Sequence, residues 1–154
     1  MKFLKTVFVI FFLFAVSFFP GCGGEKRPQG FPKIYKCQLK VVENGTPVSD
    51  VIVKLESSDR EANKWSPSGS TGEDGIADLQ TRGFPGAPVA EYKVLLEKYG
   101  VPMTEISPGV YQSNDPSNQI AEEYGNPDTT PFTLTVSKKQ ETIPTFDIGD
   151  GSTK

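Results

Sequence analysis

Between Val89 and Lys98 the chain alternates residue by residue: Tyr92, Val94 and Leu96 are apolar, and Glu91, Lys93 and Glu97 are charged. A period of two belongs to an extended strand with one buried face. Glutamate and leucine would also suit a helix, but no capping residue precedes the run, and Gly100 and Pro102 follow it at once. The run therefore reads as a central strand. A strand cannot bury its apolar face alone, so the rest of the chain has to supply sheet partners.

Candidate partners lie on both sides. From Ile34, the residues Tyr35, Cys37, Leu39 and Val41 alternate with Lys36, Gln38 and Lys40, which predicts a strand over about 34–43. Cys37 then falls on its buried face as a small hydrophobe. Asn44-Gly45 follows, a two-residue hairpin signal because both positions accept positive φ. Asn44-Gly45-Thr46 also matches a glycosylation acceptor, but turn chemistry accounts for it. Val51, Val53 and Leu55 predict an inward face for a second strand within 48–57, paired antiparallel with the first.

Residues 58–69 are polar and hold the only tryptophan, Trp65, with a short strand expected near Ser70. Asp74-Gly75 is a second tight turn, followed by a less regular strand containing Ile76 and Leu79. Thr81–Pro88 is rich in glycine and proline and is expected to be irregular.

Residues 99–131 form a long excursion cut by Pro102, Pro108, Pro116, Pro127 and Pro131, expected to be either a binding loop or a structural cover. Within it, Ile106, Val110 and Tyr111 suggest a short strand or an edge cover, and residues 117–124 one or two helical turns. Alternation returns at Phe132, Leu134 and Val136, and a last strand is expected in 142–148. Short runs divided by 15 glycines and 13 prolines give the texture of an all-β domain.

Composition narrows the chemistry. Histidine is absent, which removes the commonest general base and zinc ligand. Basic residues are scattered, so nucleic acid is not an expected partner. Glu73, Asp74 and Asp78 fall close together but do not follow a calcium-loop spacing. Glu122, Glu123 and Asp115 formally admit a two-carboxylate glycosidase, yet nothing fixes their separation. No catalytic residue, metal ligand or cofactor site is assigned, and an enzyme is not expected. Trp65, Phe84, Tyr99, Tyr111 and Tyr124 would serve a glycan-stacking platform, although capping of the core is the favoured reading for each.

The N-terminus carries an address. Lys2 and Lys5 precede the apolar run Thr6–Phe19, too short for a full membrane span and of signal-peptide length. Phe19-Pro20-Gly21-Cys22 resembles a bacterial lipoprotein signal, with Cys22 as the lipid-bearing (palmitate-type) residue. Phe19 and Pro20 depart from the usual residues of that lipobox. The resemblance implies export, membrane anchoring through Cys22 and, with Gly23 following, an outer-membrane location. Lipidation of Cys22 would leave Cys37 without a disulfide partner. The expected organisation is a signal peptide (1–21), a flexible tether (22–33), a β-sandwich domain (34–149) and a loose tail (150–154).

Taken in order, Gly21-Cys22-Gly23-Gly24, Asn44–Val48, Thr71–Gly75, Gly86–Val94, Tyr124–Pro131 and Phe146-Asp147-Ile148 resemble small bacterial lipoproteins, of the planctomycete type, with a carboxypeptidase regulatory-like, transthyretin-like domain. Ala90 stands where that family usually has glycine. The resemblance implies a single antiparallel Greek-key β-sandwich, transthyretin-like or Ig-like, of about seven strands. It also implies a non-enzymatic interaction module. The tether, the sandwich pattern and the long 99–131 segment add the expectation of a monomeric domain that binds an envelope protein or glycan, with a structural envelope component or transport accessory as the alternative.

Overall fold

The computed structural model describes residues 26–149; the signal segment, Cys22 and the last residues of the tail lie outside the described residues. The chain divides into two units, Met1–Phe31 and Pro32–Lys154. In the described part of the first, the Phe31 amide donates to the Pro28 carbonyl at 3.1 Å, and the Arg27 guanidinium lies 5.6 Å from the Phe31 ring centre.

In the second unit the first predicted strand is divided in two, β1 (Ile34–Tyr35) and β2 (Gln38–Glu43). They serve different partners, so the ladder breaks at Lys36-Cys37 while Cys37 stays buried. Asn44 and Gly45 both take positive φ (49° and 79°) and make the predicted turn into β3 (Thr46–Pro47).

The predicted long hairpin then stops. At Asp50 the backbone again takes positive φ (59°), and β4 (Ile52–Glu56) joins the other sheet instead of pairing with β2. The buried Thr71 makes this crossing possible. Its hydroxyl accepts the Val51 amide proton at 2.9 Å and donates to the Val48 carbonyl at 2.7 Å. Backbone groups that lose their ladder partner are thus satisfied away from water. Val51, Val53 and Leu55 face inward as the alternation predicts, and Ile52 faces out.

A short helix, α1 (Arg60–Asn63), lies in the polar segment; the Asp59 side chain caps it by accepting from the amides of Glu61 and Ala62. Next come β5 (Ser68–Ser70) and β6 (Ile76–Asp78). Ala77 and Leu79 are the inward residues here, not Ile76, which restores a strict alternation. The stretch expected to be irregular holds β7 (Gln80–Thr81), β8 (Phe84–Pro85) and β9 (Ala87–Pro88). Arg82 and Gly83 both take positive φ and close a tight hairpin, and β9 pairs with β1.

The central strand is β10 (Glu91–Glu97), flanked by β4 and, further along the chain, β15 (Thr133–Thr135). Between them lie β11 (Tyr99–Gly100), β12 (Met103–Ser107), β13 (Val110–Ser113), β14 (Ser117–Asn118) and a 3-10 turn at Glu122–Gly125. The last strand is β16 (Thr145–Asp147).

One sheet runs β15-β10-β4-β5-β7-β8, and the other runs β16-β2-β3 with β6 also on β2. Every pairing is antiparallel except β16 with β2, which is parallel. The fold is all-β and sandwich-like, with sixteen short strands among the described residues in place of about seven. Leu39 and Val41 from one sheet and Val53, Leu55, Tyr92, Val94 and Leu96 from the other share one buried cluster. Each large apolar side chain buried there contributes about 1.5–3 kcal/mol. Tyr92 adds a tie of its own: its hydroxyl donates to the Pro88 carbonyl at 3.0 Å, in the manner of the tyrosine corner of β-sandwiches.

Candidate functional site

The long excursion divides into a cover and an arm. The later part covers the core: Ile120 and Tyr124 are buried, and Tyr124 stacks on Phe132 at 5.1 Å between ring centres. The Gln119 amide donates to the Lys98 carbonyl at 2.7 Å, just past β10, and the Thr130 hydroxyl to the Val94 carbonyl of β10 at 2.8 Å, which fixes that cover to the central strand and its end.

The earlier part is a hairpin of β12 and β13 that pairs only with itself, and every residue of both strands is exposed. The Asn114 amide donates to the Pro102 carbonyl at its base. At its tip Gly109 takes positive φ (76°), and its amide donates to the Glu105 carboxylate at 2.8 Å. A bulge at Ile106 shifts the register and twists the ribbon. Met103 and Ile106 are each 60% exposed, with Val110 and Tyr111 close behind. Ile106, Val110 and Tyr111, expected as a short strand or an edge cover, thus lie in strands, but in solvent rather than over an edge. A two-stranded ribbon alone is marginal in water, and these apolar side chains gain nothing from the sandwich core.

Two of the grooves among the described residues are lined by charged side chains, and no hairpin residue lines either of them. An open groove of about 850 Å³ is lined by Gln38, Ser68, Ser70, Asp74, Asp78 and Arg82, among others. It brings Asp74 and Asp78 to one surface, but each already has a hydrogen bond within the chain. Asp74 accepts from the Ile76 amide at 3.0 Å, and Asp78 from the Gln38 side-chain amide at 2.7 Å. A second groove, of about 410 Å³, is lined by Lys36, Lys138, Lys139 and Ile143 beside the 138–144 loop. The Gln140 side chain pins that loop to β2 by accepting from the Gln38 amide at 2.8 Å. This basic groove was not foreseen, although Lys138-Lys139 was its visible signal.

The other singled-out residues scatter. The Arg82 guanidinium lies 4.9 Å from the centre of the half-buried Trp65 ring. Tyr124 belongs to the core, and the exposed Tyr99 donates to Glu97 at 3.4 Å. Glu122 and Glu123 sit in the first turn of the 3-10 turn, away from the Asp74–Asp78 surface in sequence and in element. Cys37 is 3% exposed, and burial pushes its thiol up to about 11, so it is the neutral, unreactive form that packs there. Among the described residues no three histidine, cysteine, aspartate or glutamate side chains gather closely enough to hold a metal ion, and no helix is long and apolar enough to cross a membrane. No protein-family model, curated protein or solved structure matches this chain.

Proposed function

We propose that this chain is a lipid-anchored, non-catalytic interaction module of a bacterial cell envelope, held to the membrane through Cys22 and offering the β12–β13 hairpin to a partner. The anchoring rests on the lipoprotein-like pattern Phe19-Pro20-Gly21-Cys22. The observation that carries the interaction is the hairpin. The sandwich closes its core without it, yet it presents Met103, Ile106, Val110 and Tyr111 to solvent. Residues that neither fill the core nor cover it are available for contact, and apolar and aromatic side chains are the usual centres of protein interfaces.

The test is an envelope pull-down with the full chain, set beside an Ile106→Ser/Val110→Ser variant and a Cys22→Ala variant. Partners captured by the native chain should be lost from the hairpin variant, and membrane association should be lost from the Cys22 variant. Retention of every partner by the hairpin variant would overturn the assignment of the contact surface. Membrane association of the Cys22 variant would overturn the anchor.

A further inference from the structure

We infer that the β12–β13 hairpin docks on a second copy of this chain, in the groove lined by Lys36, Lys138, Lys139 and Ile143. This rests on the reading of the hairpin as the contact surface and names its partner. It departs from the expectation of a monomeric domain, and the cross-linking experiment below decides between the two.

Charge segregation is the first support. From Tyr99 to Ser137 there is no lysine or arginine, while Glu105, Asp115, Glu122, Glu123 and Asp128 are all present. The opposite holds at the groove, where three lysines meet a single acid, Glu141. None of these charges is ion-paired within the chain: among the described residues the one ion pair is Lys64–Glu61. On the hairpin itself the one charged side chain is Glu105, with Asp115 just past β13, so an arm whose charge is negative faces a groove whose charge is positive, and such complementarity steers association and sets its register.

Apolar character matches as well. Ile143 is 41% exposed in the groove, and Ile106 and Val110 are exposed at the hairpin tip. Glu105, held at the tip by the Gly109 amide, stands beside Ile106, so one insertion brings a carboxylate to the lysines and a branched side chain to Ile143. A chain cannot satisfy both of its own surfaces, since each is exposed within it. Copies therefore join head to tail, with a different patch on each side of the contact. Anchoring to one membrane would raise their effective concentration and favour such a contact even if it is weak in solution.

The experiment uses the full chain in bacterial membranes, with a photoreactive phenylalanine analogue at position 106 and, separately, at position 110. Both positions are exposed, so folding is preserved. The expected product has twice the mass of the chain, with the cross-link mapped to Lys36 or to residues 138–143. Lys138→Glu/Lys139→Glu should lower its yield about tenfold or more, and co-expression with a Glu105→Lys copy carrying the probe should recover it. Cross-links to a different protein or to lipid alone would overturn self-docking while leaving the hairpin as a contact surface. No product from either position would overturn both readings. A dimer product indifferent to the lysine reversals would overturn the groove as its seat.

Discussion

The carboxylate of Asp147 accepts the amide proton of Asn44 at 2.9 Å, across 103 positions of the chain. It also accepts from Gly45 at 3.2 Å and from Gly149 at 2.9 Å. The turn between β2 and β3 is thus tied to the end of the last strand.

This tie is sensitive to acid. The Gly149 amide holds the Asp147 carboxyl below the usual carboxylate range. Slight desolvation pulls the other way, and the amides of Asn44 and Gly45 add to the lowering. A depressed folded-state pKa gives stability that is present above the unfolded value of about 3.9 and is lost as pH falls through the folded value. Asp147→Asn should therefore melt at a lower temperature than the parent at pH 7, and the two should converge at the acid end. Parallel melting curves across that range would show that the charge contributes nothing.

Cys37 should resist thiol reagents in the native protein and react once it is unfolded. Burial raises its pKa from 9.0 to about 11, so the folded state holds its proton longer than the unfolded one. Stability from this group is complete below about pH 9 and declines as pH rises toward 11. Cys37→Ser puts a hydroxyl in the same buried space and should cost about 1–3 kcal/mol. Denaturant unfolding and the rate of labelling measure the two effects.

Tyr92→Phe keeps a ring that is 1% exposed and removes only the bond to the Pro88 carbonyl. The loss should be about 1–3 kcal/mol, because a buried acceptor is left unmade. Tyr92→Ala should cost about 3–5 kcal/mol through the cavity it opens. Equal losses for the two variants in denaturant melts would refute this division between bond and ring.

Gly69→Ala probes the approach of β5 to β6. A Cβ at this position would stand 2.7 Å from the Asp78 carbonyl oxygen and 3.2 Å from Leu79 Cδ2. Backbone has to shift, and about 1–3 kcal/mol of stability should be lost. The same measurement on Ile106→Ser should change stability by no more than about 0.5 kcal/mol, because that side chain is in solvent. A large loss from Ile106→Ser would mean that the hairpin packs on the sandwich.

The sequence was most readable where one face decides everything. In β10 the alternation of Tyr92, Val94 and Leu96 with Glu91 and Lys93 places the core on one side, and the strand lies where it was expected. Asn44-Gly45 was readable for a local reason, since few residue pairs accept two positive φ angles. The crossing at Asp50 was not, because it depends on the hydroxyl of Thr71, twenty positions away. Arg82 hid the hairpin of β7 and β8, because arginine is no signal of positive φ. The cap Asp59 ahead of Glu61 was a local signal for α1 that went unread.

The candidate site was partly visible. Ile106, Val110 and Tyr111 were singled out as a possible strand. Whether they would be buried depended on where Tyr124 and Ile120 packed, which no local pattern reveals. The basic groove was harder still. Lys36 and Lys138 come together because Gln140 ties the loop to Gln38 at a separation of 102 positions.

The parallel pairing of β16 with β2 sets the order in which the molecule can be finished. Thr145 lies opposite Lys40 and Asp147 opposite Val42, so β2 keeps one bare edge until nearly the whole chain is present. A ribosome or a secretion channel delivers the N-terminus first, and during that delivery Phe146 and Ile148 are missing from the core they complete. Pairing over so long a separation is slow to form. The sandwich thus stays open through most of synthesis, and it closes only when its last strand arrives.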